Sequence, residues 1–426
     1  MKNEISPKIG LLLHLYQPLT QDPGVFHDIT SASYLPLLKF IKNRKDFKVT
    51  LNVPLSLLQQ MEKYGYLSWV DQLRELVDAG RVELTGSAAY HPLLTKLPLS
   101  FIEKQIILNE YGLGYYVGRR AGFEGEPSVM LKNLNGFFPP EMAVNEELVS
   151  LLDELGYKWV VMDECAIPGG LVKKGGLYKL GDSMIKLAVR EREISNVLSF
   201  KRNGSVEDIM HLLLSRDNYI VALDGETFGH HNRDGMYLLE SFVDAMHNAG
   251  REFVTVSELI EHVSPTDIEH INESTWAAVE EGIENGDAYP MWHRKNNELQ
   301  KKMWDLYKDF ISLYDGREFA GSTDDYETLP IWNEDKLSVI DDPTLRESLK
   351  KDMYISQALS SDQFWWASNK EMPDGKVLFD AGMIKRSMEA YKRVLDLEND
   401  TVKTESIRQE LENVLSAVGD MDNRIY

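Results

Sequence analysis

Apolar positions in the first 260 or so residues fall into short unbroken runs, separated by stretches where they recur at three- and four-residue spacing. The runs at residues 9–13, 47–53, 82–85, 134–138, 158–162, 184–189 and 219–223 predict β-strands. Helical spacing occupies residues 34–42, 57–63, 69–79, 101–119, 146–155, 206–214 and 236–249. One more short strand and helix follow at 253–256 and 258–262. Strands alternating with helices imply parallel pairing, which brings functional groups to the carboxyl ends of the strands. After Ser264 and Pro265 the texture changes: residues 297–314, 343–360, 381–397 and 402–418 read as helices with no strand between them. The chain is therefore expected to divide into residues 1–264 and a helical region, 265–426.

Charge narrows the possible partners. Lys and Arg number 46 against 68 Asp and Glu, a net charge of −22, which argues against nucleic acid. The 43% apolar and 10% aromatic content is that of a folded chain, since an acidic disordered one is poor in aromatics. A single cysteine, Cys165, cannot form an internal disulfide or a cysteine-type zinc site. No apolar stretch approaches the ~20 residues of a membrane span, and the run at 9–13 is shorter than a signal peptide's apolar region. A cytoplasmic protein without a membrane partner is the expectation.

Four strand ends carry the chemistry. The first passes into His14-Leu15-Tyr16-Gln17-Pro18, either a satisfied core histidine before a proline turn or a set of side chains at a cleft mouth. Around the third strand, Glu83 alternates with Val82 and Leu84 and so points to the opposite face, where a carboxylate is costly unless paired. It is either an internal partner of a cation such as Arg81 or a substrate contact; Tyr90, His91 and Pro92 follow it. The segment Gly136-Phe137-Phe138-Pro139-Pro140-Glu141 holds a glutamate on a proline-stiffened strand exit, ahead of a helix start at Asn145. The last, Ala222-Leu223-Asp224-Gly225-Glu226, runs a strand into two acids spaced by a glycine that lets the backbone turn, with His230 and His231 beyond.

Together these segments resemble the signatures of glycoside hydrolase family 57, in the family's order: HLYQP, RVELTG, GFFPPE and ALDGETFG. Phe138 stands where the family more often has Trp. The resemblance implies an α/β fold with an incomplete parallel (β/α)7 barrel followed by a C-terminal helical region. It also implies retaining cleavage or transfer at α-glucosidic bonds of an α-glucan or maltooligosaccharide, with no cofactor and no metal. Glu141 falls on the family's nucleophile and Asp224 on its general acid/base, a pair that retention places ~5–5.5 Å apart. A charged Glu141 would then raise the pKa of Asp224. His14, Gln17, Glu83, His91, Phe138, Glu226, His230, Trp292 and Trp365 are the expected sugar contacts. Trp276, Tyr289, Trp304, Trp332 and Trp366 add to the aromatics beyond residue 264, which are expected to serve the cleft in part. Two alternatives are a metal-dependent polysaccharide deacetylase using Asp224, His230 and His231, and a catalytically silent glycan-binding barrel.

Overall fold

The computed structural model describes residues 6–118, 134–169, 176–200, 206–317, 334–338, 340–371, 375–398 and 401–425. Two sheets face each other. In the first, β1 (Lys8–His14) lies between β8 (Tyr219–Asp224) on one side and β2 (Val49–Asn52) with β9 (Glu252–Val254) on the other. β3 (Val82–Leu84) borders β2, and every pair is parallel. The second sheet runs β10 (Thr266–Ile268), β6 (Leu177–Leu180), β7 (Lys186–Val189), β5 (Trp159–Met162), β4 (Gly136–Phe137). It is parallel except for the β6–β7 pair. Backbone hydrogen bonds join the sheets at both margins. Beyond β3, Gly86 N donates to Gly136 O at 2.8 Å and Gly86 O accepts from Phe138 N at 2.9 Å; beyond β7, Glu191 N donates to Ile220 O at 2.7 Å.

The period of two along the strands decides what fills the space between the sheets. Leu12, Ile220, Ala222, Trp159, Val161 and Ala188 turn inward and form one apolar cluster with Phe138 and the short helix Val256–Ile260. The intervening Leu11, Leu13, Val221 and Leu223 turn outward into the larger core under the flanking helices. His14, two residues beyond Leu12, and Asp224, two beyond Ala222, therefore also point inward at the carboxyl end. Gly136 is required because a Cβ there would lie 2.0 Å from the Trp159 ring. Strands β6 and β10 escape the hydrophobic pattern because each buries two residues or fewer. With β10 and a two-stranded pair at Lys370–Glu371 and Val377–Leu378, the expectation of no strand after residue 265 is corrected.

The helical region consists mainly of Glu298–Tyr314, Pro343–Ala358, Ala381–Asp396 and Thr401–Ile425. Asn297, Asp342 and Asp380 cap three of these through side-chain oxygens that accept backbone N–H groups. The region packs on the helix Leu99–Leu113, which is buried nearly all round because it is covered from both sides. There Gln105 Oε1 accepts from Tyr90 N at 3.1 Å while its Nε2 donates to Ser356 O at 2.8 Å. Trp332, among the aromatics singled out above, lies outside the described residues.

On the same helix Glu110 is fully buried, with Oε1 accepting the Tyr157 hydroxyl and Oε2 without a partner. Burial pushes its carboxyl up to about 8. Between the ordinary glutamate value and that pH the folded state holds a proton that the unfolded chain has released. Stability therefore falls as pH rises through this window, by up to ~1.4 kcal/mol per pH unit from this group. Urea melts of the wild type and Glu110→Gln across this range should differ in slope, the variant being flatter; identical slopes would contradict a buried neutral Glu110.

Candidate active site

Three neighbouring strands end at one level, with His14 in register with Asn52 on one side and Asp224 on the other. Asn52 Nδ2 donates to Thr85 Oγ1 at 3.0 Å and its Oδ1 meets His14 Nδ1 at 2.7 Å, which fixes the imidazole plane. The ring lies flat against Phe138, centroids 4.5 Å apart, and its Nε2 is 3.1 Å from His91 Nε2. His91 stacks on Tyr16 at 4.0 Å and presents Nδ1 to Ser361 Oγ at 3.1 Å. Ser361 Oγ donates to Glu141 Oε1 at 3.0 Å, and Trp276 Nε1 donates to Glu141 Oε2 at 3.0 Å. The Trp276 indole is held there by its own backbone: Trp276 N donates to Glu141 O, and Ser274 and Val144 exchange two N–H···O bonds. Both oxygens of Glu141 are thus capped by groups that lie beyond residue 264 in sequence.

Backbone strain gathers at the same place. His91, Glu141 and Met142 have φ of 58°, 60° and 47°, in the left-handed region, which costs side-chain-bearing residues about 1–2 kcal/mol each. Gly225 has no positive φ, so its role differs from the expected turn: a Cβ there would fall 2.0 Å from Leu15 Cδ2. Close packing of the loop behind Asp224, not backbone rotation, is what requires glycine.

Four acids share this end of the fold. Glu141 and Glu226 are buried, and Asp224 and Asp362 keep some exposure at the opening. Asp362 accepts from Ser360 Oγ at 2.6 Å and from the Tyr16 hydroxyl. Glu226 Oε1 accepts from Tyr34 O–H, Tyr16 N and Gln17 Nε2, the last two at 3.2 Å. Burial is the leading cause of an upward pKa shift in all four. Glu141 lies well above the usual carboxyl range, pushed further by Asp362 and Asp224 and pulled back by the Ser361 and Trp276 hydrogen bonds. Glu226 reaches about 8. In Asp224 the burial effect is countered by His14 and by Arg190. That guanidinium is held by Asp163 at 2.7 Å and by Ala222 O at 3.0 Å, 5.8 Å from the Trp276 ring. The expectation that a charged Glu141 raises Asp224 is therefore changed: desolvation lifts both carboxyls. Burial lowers His14, and it lowers His91 well below the ordinary histidine value.

His14, Gln17, His91, Phe138, Glu141, Asp224 and Glu226 are thus brought together, and four other expected contacts are not. Glu83 sits one pleat deeper, accepting from Thr50 Oγ1 at 2.8 Å and from Ser257 N at 3.2 Å, so it is an internal partner of hydroxyl and helix-start groups. Trp292 is 1% exposed and carries the carbonyl that accepts Trp304 Nε1 at 2.8 Å, a core position. Trp304 stacks on Phe364 at 4.1 Å, and Tyr289 is buried with its hydroxyl on Glu273 at 2.5 Å. Trp365 is half-buried and packs edge-on against Trp366 at 4.6 Å. His230 is exposed on the loop after Glu226, tilted against His231 at 5.5 Å. Among the described residues no three His, Cys, Asp or Glu side chains are grouped to hold a metal ion, so Asp224, His230 and His231 do not converge as a deacetylase would need.

The profile of Glycosyl hydrolase family 57 matches residues 11–272, more than half of the chain. The chain belongs to that family. Among curated relatives of this family 57 chain, an α-amylase of Pyrococcus abyssi is 25% identical over 52% of this chain and 33% of its own length. A 4-α-glucanotransferase of Thermococcus litoralis is 25% identical over 51% of this chain and 32% of its own. The chain thus spans about a third of the length of these relatives. The GH57-type branching enzyme of Pyrococcus horikoshii has the same fold along nearly the whole of both chains: TM-score 0.67, 15% identity, 97% of this chain and 95% of that one.

Ser361, Asp362, Trp276 and Arg190 belong to the site, and of these Trp276 alone was among the residues expected to serve it, as one of the aromatics beyond residue 264. The only signal was that the first three stand in the aromatic-rich stretches beyond residue 264; Arg190 had none. Replacing Trp276 by Phe keeps the ring and removes one donor to Glu141. Turnover should fall ~10–100-fold, the worth of a hydrogen bond to a charged group, with little change in melting temperature. Trp292→Ala should do the reverse, costing roughly 3–5 kcal/mol of stability and leaving KM unchanged. Kinetics and melts on the two purified variants separate these roles, and the opposite pairing of effects would contradict the assignment.

Proposed function

We propose that this chain cleaves α-glucosidic bonds in an α-glucan or maltooligosaccharide with retention, passing the glycosyl group to water or to a sugar hydroxyl. The observation that carries the reading is that Glu141 and Asp224, delivered from different strand ends, lie close enough for Asp224 to raise Glu141, with unequal surroundings. Glu141 receives donors on both oxygens, the set that suits a carboxylate at the moment it attacks. Asp224 stands beside His14 at the opening, where a leaving oxygen and an incoming hydroxyl have access. In the first step Glu141 bonds the anomeric carbon while Asp224 protonates the departing oxygen. In the second, Asp224 takes the proton of the acceptor hydroxyl as that oxygen displaces Glu141.

The scaffold in this reading is an incomplete (β/α)7 barrel whose seven parallel strands are β1, β2, β3, β4, β5, β7 and β8. The hydrogen bonds at Gly86 and Glu191 support closure between the two sheets. The helical region after the barrel belongs to the same catalytic unit, because Ser361, Asp362 and Trp276 touch groups on the strand ends. Names of relatives that include amylase, glucanotransferase and branching enzyme support an α-glucan as substrate.

Glu141→Gln and Asp224→Asn should each nearly abolish turnover of maltooligosaccharides while the fold persists. On a glucosyl substrate with an activated leaving group, azide should restore turnover of Asp224→Asn and give the α-glucosyl azide, since deglycosylation by azide needs no base. Full activity in either variant, or a β-configured azide from Asp224→Asn, would overturn the assignment of roles.

A further inference from the structure

The inward row of side chains does not stop with the apolar cluster. In the first sheet Leu12 is followed two residues on by His14 and Ala222 by Asp224; in the second, Val161 is followed by Asp163 and Ala188 by Arg190. Arg190 N donates to Met162 O at 3.0 Å, so the pairing of β5 with β7 continues one residue past β7. The period of two therefore carries a carboxylate and a guanidinium into the layer that holds His14 and Asp224. Asp163 is 0% exposed and Arg190 4%.

Asp163 divides its oxygens between two cations: Oδ2 accepts Arg190 Nε and Oδ1 accepts an Arg192 Nη, each at 2.7 Å. One carboxylate cannot neutralise two guanidiniums, and buried charge left over needs an anion to face. The two arginines also divide their contacts. Arg192 turns to the loop that caps Glu141, donating to Trp276 O at 3.2 Å and to Ala278 O. Arg190 turns to β8, donating to Ala222 O at 3.0 Å, two residues before Asp224; its reach to Trp276 O is longer, 3.5 Å.

Charge moves between the two acids in the proposed reaction. When the Glu141 carboxylate bonds the anomeric carbon, the glycosidic C–O bond breaks and the Asp224 proton leaves with the departing oxygen. One negative charge disappears from Glu141 and one appears on Asp224. In the second step Asp224 takes the acceptor's proton, the acceptor oxygen bonds the anomeric carbon, and the charge returns to Glu141 as the ester C–O bond breaks. Ser361 and Trp276 donate to Glu141 while the charge is there. We propose that Arg190 is the positioning residue that holds the charge on Asp224 while the glycosyl group is on Glu141.

The groups facing Asp224 are His14 on β1, Glu141 beyond β4, Glu226 in the next turn, the Tyr34 hydroxyl, and Arg190. His14 and Arg190 both favour its ionised form. Burial drives His14 toward neutrality, whereas a guanidinium keeps its charge at any working pH, so Arg190 is the lasting cation. Around Arg190 stand Asp163 and Arg192; Glu164 accepts Arg192 N at 3.2 Å, and Glu191 pairs with Arg216 at 3.5 Å. Loss of the Arg190 cation raises the pKa of Asp224, and loss of the Asp163 anion lowers it.

The inference rests on Asp224 being the acid/base, and kinetics of the full chain separate the two claims. On an aryl maltooligoside with a good leaving group, breakdown of the glycosyl-enzyme limits turnover and needs an ionised Asp224. Arg190→Met, in which Arg192 still holds Trp276, should lower kcat and KM together, by less than the ~10²–10⁴-fold that a general base supplies, and azide should restore kcat. On an ordinary maltooligosaccharide the high-pH limb of kcat/KM reports proton loss from Asp224. That limb should move to higher pH in Arg190→Met, stay in place in Arg190→Lys, and move to lower pH in Asp163→Asn. Asp163→Asn retains both guanidiniums, so its opposite sign tests the role even where Arg190→Met does not fold. A limb unmoved in Arg190→Met, one that rises in Asp163→Asn, or a fall in kcat that azide does not restore overturns the role of Arg190 alone. Full turnover in Asp224→Asn overturns the acid/base and the inference with it.

Discussion

A carboxyl group removed from water must keep its proton, gain donors or face a cation, and this fold buries or half-buries four at one end. Among the described residues, Glu141, Asp224, Glu226 and Asp362 together have one buried guanidinium nearby, Arg190, and it is shared with Asp163 and a carbonyl. Everything around them answers that shortage. Ser361 and Trp276 serve Glu141; Tyr34, Tyr16 and Gln17 serve Glu226; Ser360 and Tyr16 serve Asp362. Asp224 has the lightest escort, which suits the general acid/base role proposed for it.

The same shortage explains why the helical region cannot be a passive appendage. Without Ser361 and Trp276 both oxygens of Glu141 would be buried without donors. Without Asp362 and Ser360 the Tyr16 ring, which stacks His91, would lose the anchor of its hydroxyl. The chain holds these parts together through the Ser361 N to His91 O bond, the paired segments at Val144 and Ser274, and the Gln105 bridge. The left-handed backbone at His91 and Glu141 lies next to these attachments, and the packing across them offsets its strain.

Alternation made much of this readable in the sequence. The inward row from Leu12 to His14 and from Ala222 to Asp224 follows from period two alone, and the proline-braced exit at Glu141 and the cap at Asn145 stand where the local pattern puts them. The same rule misled at Glu83, which does face inward but one layer too deep, where Ser257 and Thr50 absorb its charge; depth along a strand is set by register, which a single strand does not carry. For the aromatics beyond residue 264 no alternation sets depth, and Trp292, an expected sugar contact, packs in the core while Trp276 reaches Glu141. Arg190 depends on a contact across 32 residues that no local pattern marks, and Ser361 on one across 220 residues, with only its aromatic-rich surroundings in sequence as a signal.

The account turns on where a bound glucan puts its anomeric carbon. A crystal structure of Asp224→Asn with a maltooligosaccharide spanning the cleft addresses that directly. The account predicts that carbon about 3–3.5 Å from an oxygen of Glu141, with Ser361 and Trp276 still donating to that carboxyl and the glycosidic oxygen facing residue 224. An ordered saccharide whose scissile bond lies away from Glu141, or one lying across His230 and His231 instead, would contradict it.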